Sequence, residues 1–251
     1  MLKFFRRIRY DLMSTNKSSK YFKYAIGEII LVVIGILIAL AISNWNSNRL
    51  NKQRNAELLV KLSKELDQNI ARCNIIDTVN NGFKDRLKFT DSALVILNKG
   101  ITADDLDFLT SKRIYYTATL NLNTSVFEEL KNTGSLYAIG SDNLVSAIQN
   151  YYQLCERESF YNLELSKDIL IREEKCIEGW FNFNALYRQN KERAIAINPW
   201  IFNPSSKDYL FFKQYIGYVR GHSNMMVHKL EGIVEASKKL KQLISEEIEL
   251  N

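Results

Sequence analysis

Tyr24 to Trp45 reads YAIGEIILVVIGILIALAISNW, and the rest of the chain is best understood by working outward from it. Its strictly apolar centre, Ile29 to Ile42, is 14 residues long, a length that a buried core helix also reaches. Adding Tyr24–Glu28 and Ser43–Trp45 gives 22 residues. At 1.5 Å per residue that is about 32 Å of helix, enough to cross a bilayer. Tyr24 and Trp45 stand where interfacial aromatic belts form, with Lys23 and Arg49 just outside them. The rival reading is a cleaved signal peptide, for which Ala39-Leu40-Ala41 offers a small-residue cleavage site. The basic segment ahead of the apolar run is unusually long for a signal peptide, so a retained transmembrane helix is the expectation.

The charge distribution agrees. The 251-residue chain has 34 Lys and Arg against 28 Asp and Glu, a net charge of +6. Residues 1–23 contain seven of the basic residues (Lys3, Arg6, Arg7, Arg9, Lys17, Lys20, Lys23) and one acid, Asp11. The arm therefore carries the whole net charge, and residues 24–251 are balanced. A neutral remainder lacks the footprint that phosphate binding requires, which argues against a nucleic-acid partner. On a helical wheel Met1, Phe4, Phe5, Ile8 and Leu12 share one face, and Lys3, Arg6, Arg7 and Tyr10 the other. That pattern suits a helix lying on anionic headgroups; a solvated topogenic arm is the alternative. Past the span, Arg49, Lys52, Arg54, Lys61 and Lys64 are fewer than the seven ahead of it, so the N-terminus is expected in the cytoplasm.

Downstream, 10 Gly and 2 Pro in the whole chain leave too few turns for a sandwich or barrel. Leu59, Leu62, Leu66, Ile70, Cys73 and Ile76 form a helical stripe, with Lys61, Lys64, Glu65, Asp67 and Arg72 off it. No Gly or Pro lies between Gly35 and Gly82, so the membrane helix is expected to run outward to Asn80-Asn81-Gly82. A second helix is expected over 83–98, stopped by Lys99-Gly100. Thr102 and Asp105 resemble a cap for a helix over 103–116, and Thr117–Thr124 reads as a loop or short extended piece. Ser125-x-x-Glu128 predicts a capping box for a helix ending near Thr133-Gly134. Ser141-Asp142 opens a helix expected to reach Arg188, with Leu144, Ile148, Tyr151, Cys155, Leu163, Leu170 and Ile177 inward. After a loop over 198–206, Ser205-x-x-Asp208 is expected to cap a last helix with the stripe Met226, Leu230, Ile233, Ser237, Leu240, Ile244. The predicted fold class is mainly α, one N-terminal transmembrane helix followed by an antiparallel helical bundle.

Candidate chemistry is sparse. His222 and His228 differ by about 120° around a helix, a poor arrangement for one metal. There is no glycine-rich phosphate loop, no Cys-x-x-Cys and no nucleophile elbow. The three cysteines, Cys73, Cys155 and Cys176, read as buried thiols; in an oxidising compartment Cys73 could instead pair with either of the others. Trp180-Phe181-Asn182-Phe183 and Pro199-Trp200-Ile201-Phe202 read as aromatic groups packing on each other. Within the span, Gly27, Gly35, Ala39 and Ser43 form a small-residue ridge of the kind that lets helices approach. Glu28 lies within about 20° of Gly35 around the helix. It either snorkels to the headgroups or pairs with Lys23 of a neighbouring copy, or else rings the mouth of an ion path.

Tyr24–Ile29, Leu31–Leu40 and Asn44-Trp45-Asn46, preceded by Phe4-Phe5-Arg6-Arg7-Ile8-Arg9, resemble a large group of single-span membrane proteins of Bacteroidetes-type bacteria. Phe127-Glu128-Glu129-Leu130-Lys131-Asn132-Thr133-Gly134-Ser135-Leu136 and Tyr151-Tyr152 are similar to the same group. The resemblance implies an inner-membrane protein with a helical extracytoplasmic domain, and carries no assigned activity or ligand.

The expected organisation is a basic cytoplasmic arm over 1–20, the span over 21–48, a helical stalk and hairpin over 49–100, and a helical periplasmic domain over 101–251. The expected function is a non-enzymatic, membrane-anchored interaction or scaffold protein without cofactor or metal. Its partners would be the bilayer with its anionic headgroups and further copies of itself, another membrane protein, or both. The membrane-surface residues would be Arg6, Arg7, Arg9 and Trp45. A ligand-sensing accessory subunit and an oligomeric channel with a Glu28 ring are the alternatives.

Overall fold

A computed structural model describes residues 18–78, 82–112 and 119–250, with side chains from Ala25 to Glu249 within those ranges. The structure is helical, with no strand among the described residues. The chain divides into two units, Met1–Arg54 and Asn55–Asn251.

In the first unit, helix α1 (Ser18–Thr78) carries the apolar run. Every Leu, Ile and Val from Ile26 to Ile42 is exposed, from 47% at Val33 to 69% at Leu31. Among the described residues this is the one helix long and apolar enough to cross a membrane. Trp45 is exposed, and the Arg49 guanidinium sits 5.7 Å from its ring centre. Arg6, Arg7 and Arg9, with the expected amphipathic arm, lie outside the described residues.

The second unit is built on α1 from Asn55 onward, α2 (Phe83–Lys99), α3 (Leu106–Thr110), α4 (Ser125–Asn132), α5 (Asp142–Glu174), α6 (Asn182–Gln189), α7 (Lys191–Ile197) and α8 (Lys207–Leu250). Its core has two clusters. One joins α1, α4, α5 and the C-terminal half of α8 through Leu62, Leu66, Leu130, Ile148, Leu230 and Ile244. The other joins α2, α3, α6 and the N-terminal half of α8 around Trp180, whose ring stacks on Phe212 at 3.6 Å. Phe183 and Trp200 meet edge to face at 6.0 Å, so the two aromatic strings do pack together.

Several boundaries follow the expected chemistry. Helix α2 stops at Gly100, whose φ of +96° is a conformation a side chain would resist, and whose N–H donates to the Ile96 carbonyl at 3.0 Å. The Asp105 carboxylate accepts from both the Thr102 N–H (2.8 Å) and hydroxyl (2.7 Å), and this bonding holds the carboxyl below its usual range. The helix it opens ends at Thr110, short of the expected 116.

Others are corrections. The helix expected to reach Arg188 ends at Glu174, and a π turn, Ile177–Phe181, intervenes before α6. Gly179 stands in that turn because a Cβ there would lie 2.9 Å from Asp208 Cβ at the start of α8. Leu163, Leu170 and Ile177, expected inside, are exposed, while Glu158, Asn162 and Ser166 are buried. Those polar groups are bonded inside: Glu158 to Arg157 (2.7 Å) and Lys229, Asn162 to the Leu120 N–H (3.1 Å), Ser166 to the Asn162 carbonyl (2.7 Å). The last helix is capped by Ser206, whose hydroxyl accepts from the Tyr209 N–H at 3.3 Å, in place of Ser205. Glu65, expected outside the first stripe, is buried, and Ile70, expected on it, is only half-buried.

The three cysteines are free and buried, and burial pushes their thiols up to about 12 (Cys73), about 11 (Cys155) and about 12 (Cys176). His222 is buried, 3% exposed, and neither ring nitrogen has a hydrogen-bond partner. It packs edge to face on Phe83 at 5.4 Å, and the Arg86 guanidinium lies over the same ring at 4.7 Å. Burial, then the Arg86 charge, holds His222 down at about 4. The unfolded imidazole titrates near 6.5, so the unfolded chain takes up the proton first as pH falls. Stability is therefore full above about pH 6.5 and declines between about 6.5 and 4. The expected loss between pH 7 and pH 5 is about 2 kcal/mol from this residue. Urea denaturation at the two pH values should show it in the native chain, and His222→Leu should remove that part of the difference.

Candidate functional site

The most elaborate polar arrangement forms where an extended segment, Thr119–Thr124, runs between α1 and α5. The segment descends α1 as its own numbers rise. The Thr119 carbonyl accepts from Arg72 (2.9 Å), Asn123 exchanges bonds with Asn69, and the Val126 N–H reaches Glu65 (2.7 Å). The Asn69 side chain acts as a backbone mimic, accepting from the Asn123 N–H at 2.6 Å and donating to its carbonyl at 3.0 Å. On the other side the Leu120 N–H donates to Asn162 Oδ1, and its carbonyl accepts from Ser159 (3.1 Å).

Glu65 explains how α4 starts. The predicted Ser125–Glu128 box does not form: the N-cap is Thr124, without a side-chain cap, and Ser125 bonds to Asn123 Oδ1. Instead the buried Glu65 carboxylate, reaching across from α1, accepts from the Val126 N–H in the first turn. A carboxylate is favoured there by the orphan donors and by the helix dipole. Its second oxygen accepts from the Tyr152 hydroxyl. Burial, then the Glu65 carboxylate, pushes the Tyr152 phenol well above its usual range. One step along, Asn69 donates to the Tyr151 hydroxyl (3.2 Å), which shares a 3.0 Å bond with Ser237 of α8. Three helices are thus joined through Asn69, Tyr151 and Ser237.

Beside this network lies an open cleft of about 770 Å³. Its floor includes Leu120, Leu122, Phe127, Leu136 and Tyr152, and its α5 wall carries Gln149, Gln153 and Glu156. Phe127 stacks on Tyr152 at 4.0 Å and 5°. A smaller cleft of about 460 Å³ adjoins Glu158, Lys229 and His228, and one of about 260 Å³ adjoins Asp77, Lys84 and Glu231. In the latter, Lys84 bridges Asp77 (2.7 Å) and Glu231 (3.2 Å). Among the described residues no group of three or more His, Cys, Asp or Glu is placed to hold a metal ion.

The residues singled out in the span lie along one side of α1. At about 100° per residue, Glu28, Gly35 and Ala39 fall within an arc of about 40°, with Gly27 and Ser43 about 80° from Gly35 to either side. Gly27, Gly35, Ala39 and Ser43 are exposed and Glu28 is half-buried. No atom stands within 4 Å of where a Cβ would sit on Gly27 or Gly35. Glu65 and Asn69 were not legible as site residues from polarity. The signal that finds Asn69 is spacing: 59, 62, 66, 69, 73, 76 alternates steps of three and four, and Asn69 keeps that rhythm where Ile70 breaks it, while Glu65 lies one residue off that line.

No family model, curated protein or solved structure matches the chain.

The network makes a definite energetic claim. Tyr152→Phe leaves a buried Glu65 oxygen without its donor and should cost about 1–3 kcal/mol. In a Glu65→Gln background the same change should cost less, because a neutral amide is cheaper to leave unpaired. Urea denaturation of the four chains of this cycle measures the coupling directly; equal costs in both backgrounds would dismiss it.

Proposed function

We propose that this chain is a single-span protein of the bacterial inner membrane, its N-terminus cytoplasmic and its helical unit a periplasmic interaction module without enzymatic activity. One observation carries the membrane anchor. The apolar side of α1 is bare all the way round from Ile26 to Ile42, and water does not tolerate so long an apolar cylinder. Lipid on most faces and a second copy on the Gly35–Ala39 face meet that demand. The second unit supports a binding role. Phe160, Leu163, Leu170 and Ile171 leave an apolar face outward on α5, and the large cleft opens beside the polar network around Glu65 and Asn69. Its long helices suit an antiparallel bundle that presents such surfaces rigidly.

Two experiments test this reading. A phosphatase reporter that works only in the periplasm, fused after Asn251, should be active, and a cysteine placed at Ser18 should resist impermeant maleimide in intact cells. The reverse labelling pattern overturns the orientation. Self-association is tested by Gly35→Ile together with Ala39→Ile. The full chain in mild detergent should sediment as an oligomer, and the doubly substituted chain should shift to monomer by about tenfold or more in dissociation constant. A native chain that stays monomeric at every concentration removes the oligomeric span.

A further inference from the structure

On its α5 side the Thr119–Asn123 run leaves one rung open. In an extended run the N–H and C=O of successive residues point alternately to opposite sides. Thr119 and Asn123 bond toward α1, through Arg72 and Asn69, and Leu120 bonds toward α5, through Asn162 and Ser159. The next residue on the α5 side is Leu122. Its N–H and C=O form no hydrogen bond among the described residues, and it lines the cleft of about 770 Å³. Across from it stand Gln149 and Gln153, one turn apart on α5. Their side-chain amides also form no hydrogen bond among the described residues. Where Leu120 finds its partners two residues earlier, Leu122 finds a gap of ligand size.

The lining decides what kind of molecule fits the gap. The floor offers a flat ring no open aromatic face; the exposed ring of Tyr137 stands at the edge of the cleft, where a side chain of a bound segment can cover it. One face of Phe127 is covered by Tyr152 and the Lys131 ammonium lies 5.2 Å from its ring centre, while the Tyr152 hydroxyl is committed to Glu65. An anion would meet Glu128 and Glu156 on the rim, with Lys131 already bonded to Glu128 at 3.2 Å. What stays open is a backbone donor and acceptor on one wall, two side-chain amides on the other, and a leucine floor between. A peptide backbone is the complement of such a site. Its N–H and C=O pair with one wall on one side and the amides on the other, and its alternate side chains rest on the floor.

We propose that this cleft binds an extended peptide segment of a partner protein, which adds to the Thr119–Thr124 segment by pairing with the Leu122 backbone between it and Gln149 and Gln153. Glu156 on the rim favours a basic residue in the bound segment. The inference rests on the interaction-module reading and names its ligand.

The test uses the full chain in nanodiscs, panned against a displayed library of random dodecapeptides, with affinities of selected peptides measured by fluorescence anisotropy. Selected peptides should lose about tenfold or more in affinity against Gln153→Arg, which is an exposed position and leaves the core intact, and against Leu122→Pro, which deletes the N–H. A scan in which each peptide N–H is methylated in turn should abolish binding at the position facing the Leu122 carbonyl, weaken it at neighbours facing the Gln149 and Gln153 amides, and spare positions outside the cleft. Peptides that tolerate methylation everywhere, or that bind the Gln153→Arg chain unchanged, overturn the proposal, as does a library yielding no binder. Crosslinking in native membranes separates the two levels. A partner retained by the Gln153→Arg chain removes the cleft and leaves the interaction module; no crosslinked partner for the native chain removes the module itself.

Discussion

A seam with steps of three and four residues governs every long helix of the second unit, and it holds whatever the residue type. On α1 it is Leu59, Leu62, Leu66, Asn69, Cys73, Ile76; on α2 Phe83, Arg86, Thr90, Ala93, Leu97. On α5 it runs Leu144, Ile148, Tyr151, Cys155, Glu158, Asn162, Ser166, Ile169, and on α8 Met226, Leu230, Ile233, Ser237, Leu240, Ile244. A helix packed along its length against neighbours presents such a line inward, because 3.6 residues per turn fixes which positions share a side, and residues beside it such as Glu65 and Tyr152 are buried where a further element covers them. Polar residues that fall on the line are carried inside with it. Each then needs a partner, since an unbonded buried polar group costs about 1–3 kcal/mol.

That order of cause explains which parts of the fold were legible in the sequence. The stripe of the last helix is legible because it is nearly all apolar, with Ser237 the one exception and a mild one. The stop at Gly100 and the Thr102–Asp105 start were legible because their chemistry is local. Leu163 and Leu170 were misplaced because they are apolar and lie one residue off the seam, next to Asn162 and one beyond Ile169. Polarity and spacing disagreed, and spacing won. The partners that made this affordable, Leu120 from a distant segment and Lys229 from α8, are not visible from within α5. The Ser125–Glu128 box failed for the same reason: a local cap was available in sequence, but a buried carboxylate from 61 residues away held the position.

The polar seam residues also account for the site. Asn69, Asn162 and Glu65 cluster where the segment Thr119–Thr124 passes, and a non-helical segment between helices brings backbone groups that no helix satisfies. Asn69 and Asn162 on the seam, with Glu65 and Arg72 beside it, are the means of bonding them. Tyr151-Tyr152 and Phe127 sit at this junction, where Tyr152 bonds Glu65 and stacks on Phe127. Their value to the fold is that they tie α4, α5 and α1 together through directional bonds, which specify one register where a uniformly apolar seam admits several.

Helix α1 obeys two rules along one axis, and the sequence marks where one gives way to the other. Up to Ile42 apolar residues occupy every side and none is covered; from Leu58 onward the covered ones gather along one side, with Val60 and Ile75 exposed off it. Between them lies Ser43–Asn55, SNWNSNRLNKQRN, rich in Asn and basic side chains, with Trp45 at its head. An all-round apolar surface suits a hydrocarbon solvent, in which no face is preferred, and a single stripe suits water, which rejects only the faces left uncovered. The change of periodicity thus separates a section apolar on every side from one with a single covered stripe. The small residues at Gly35 and Ala39 are the one break in the uniform section, the place where shape in place of hydrophobicity distinguishes a side.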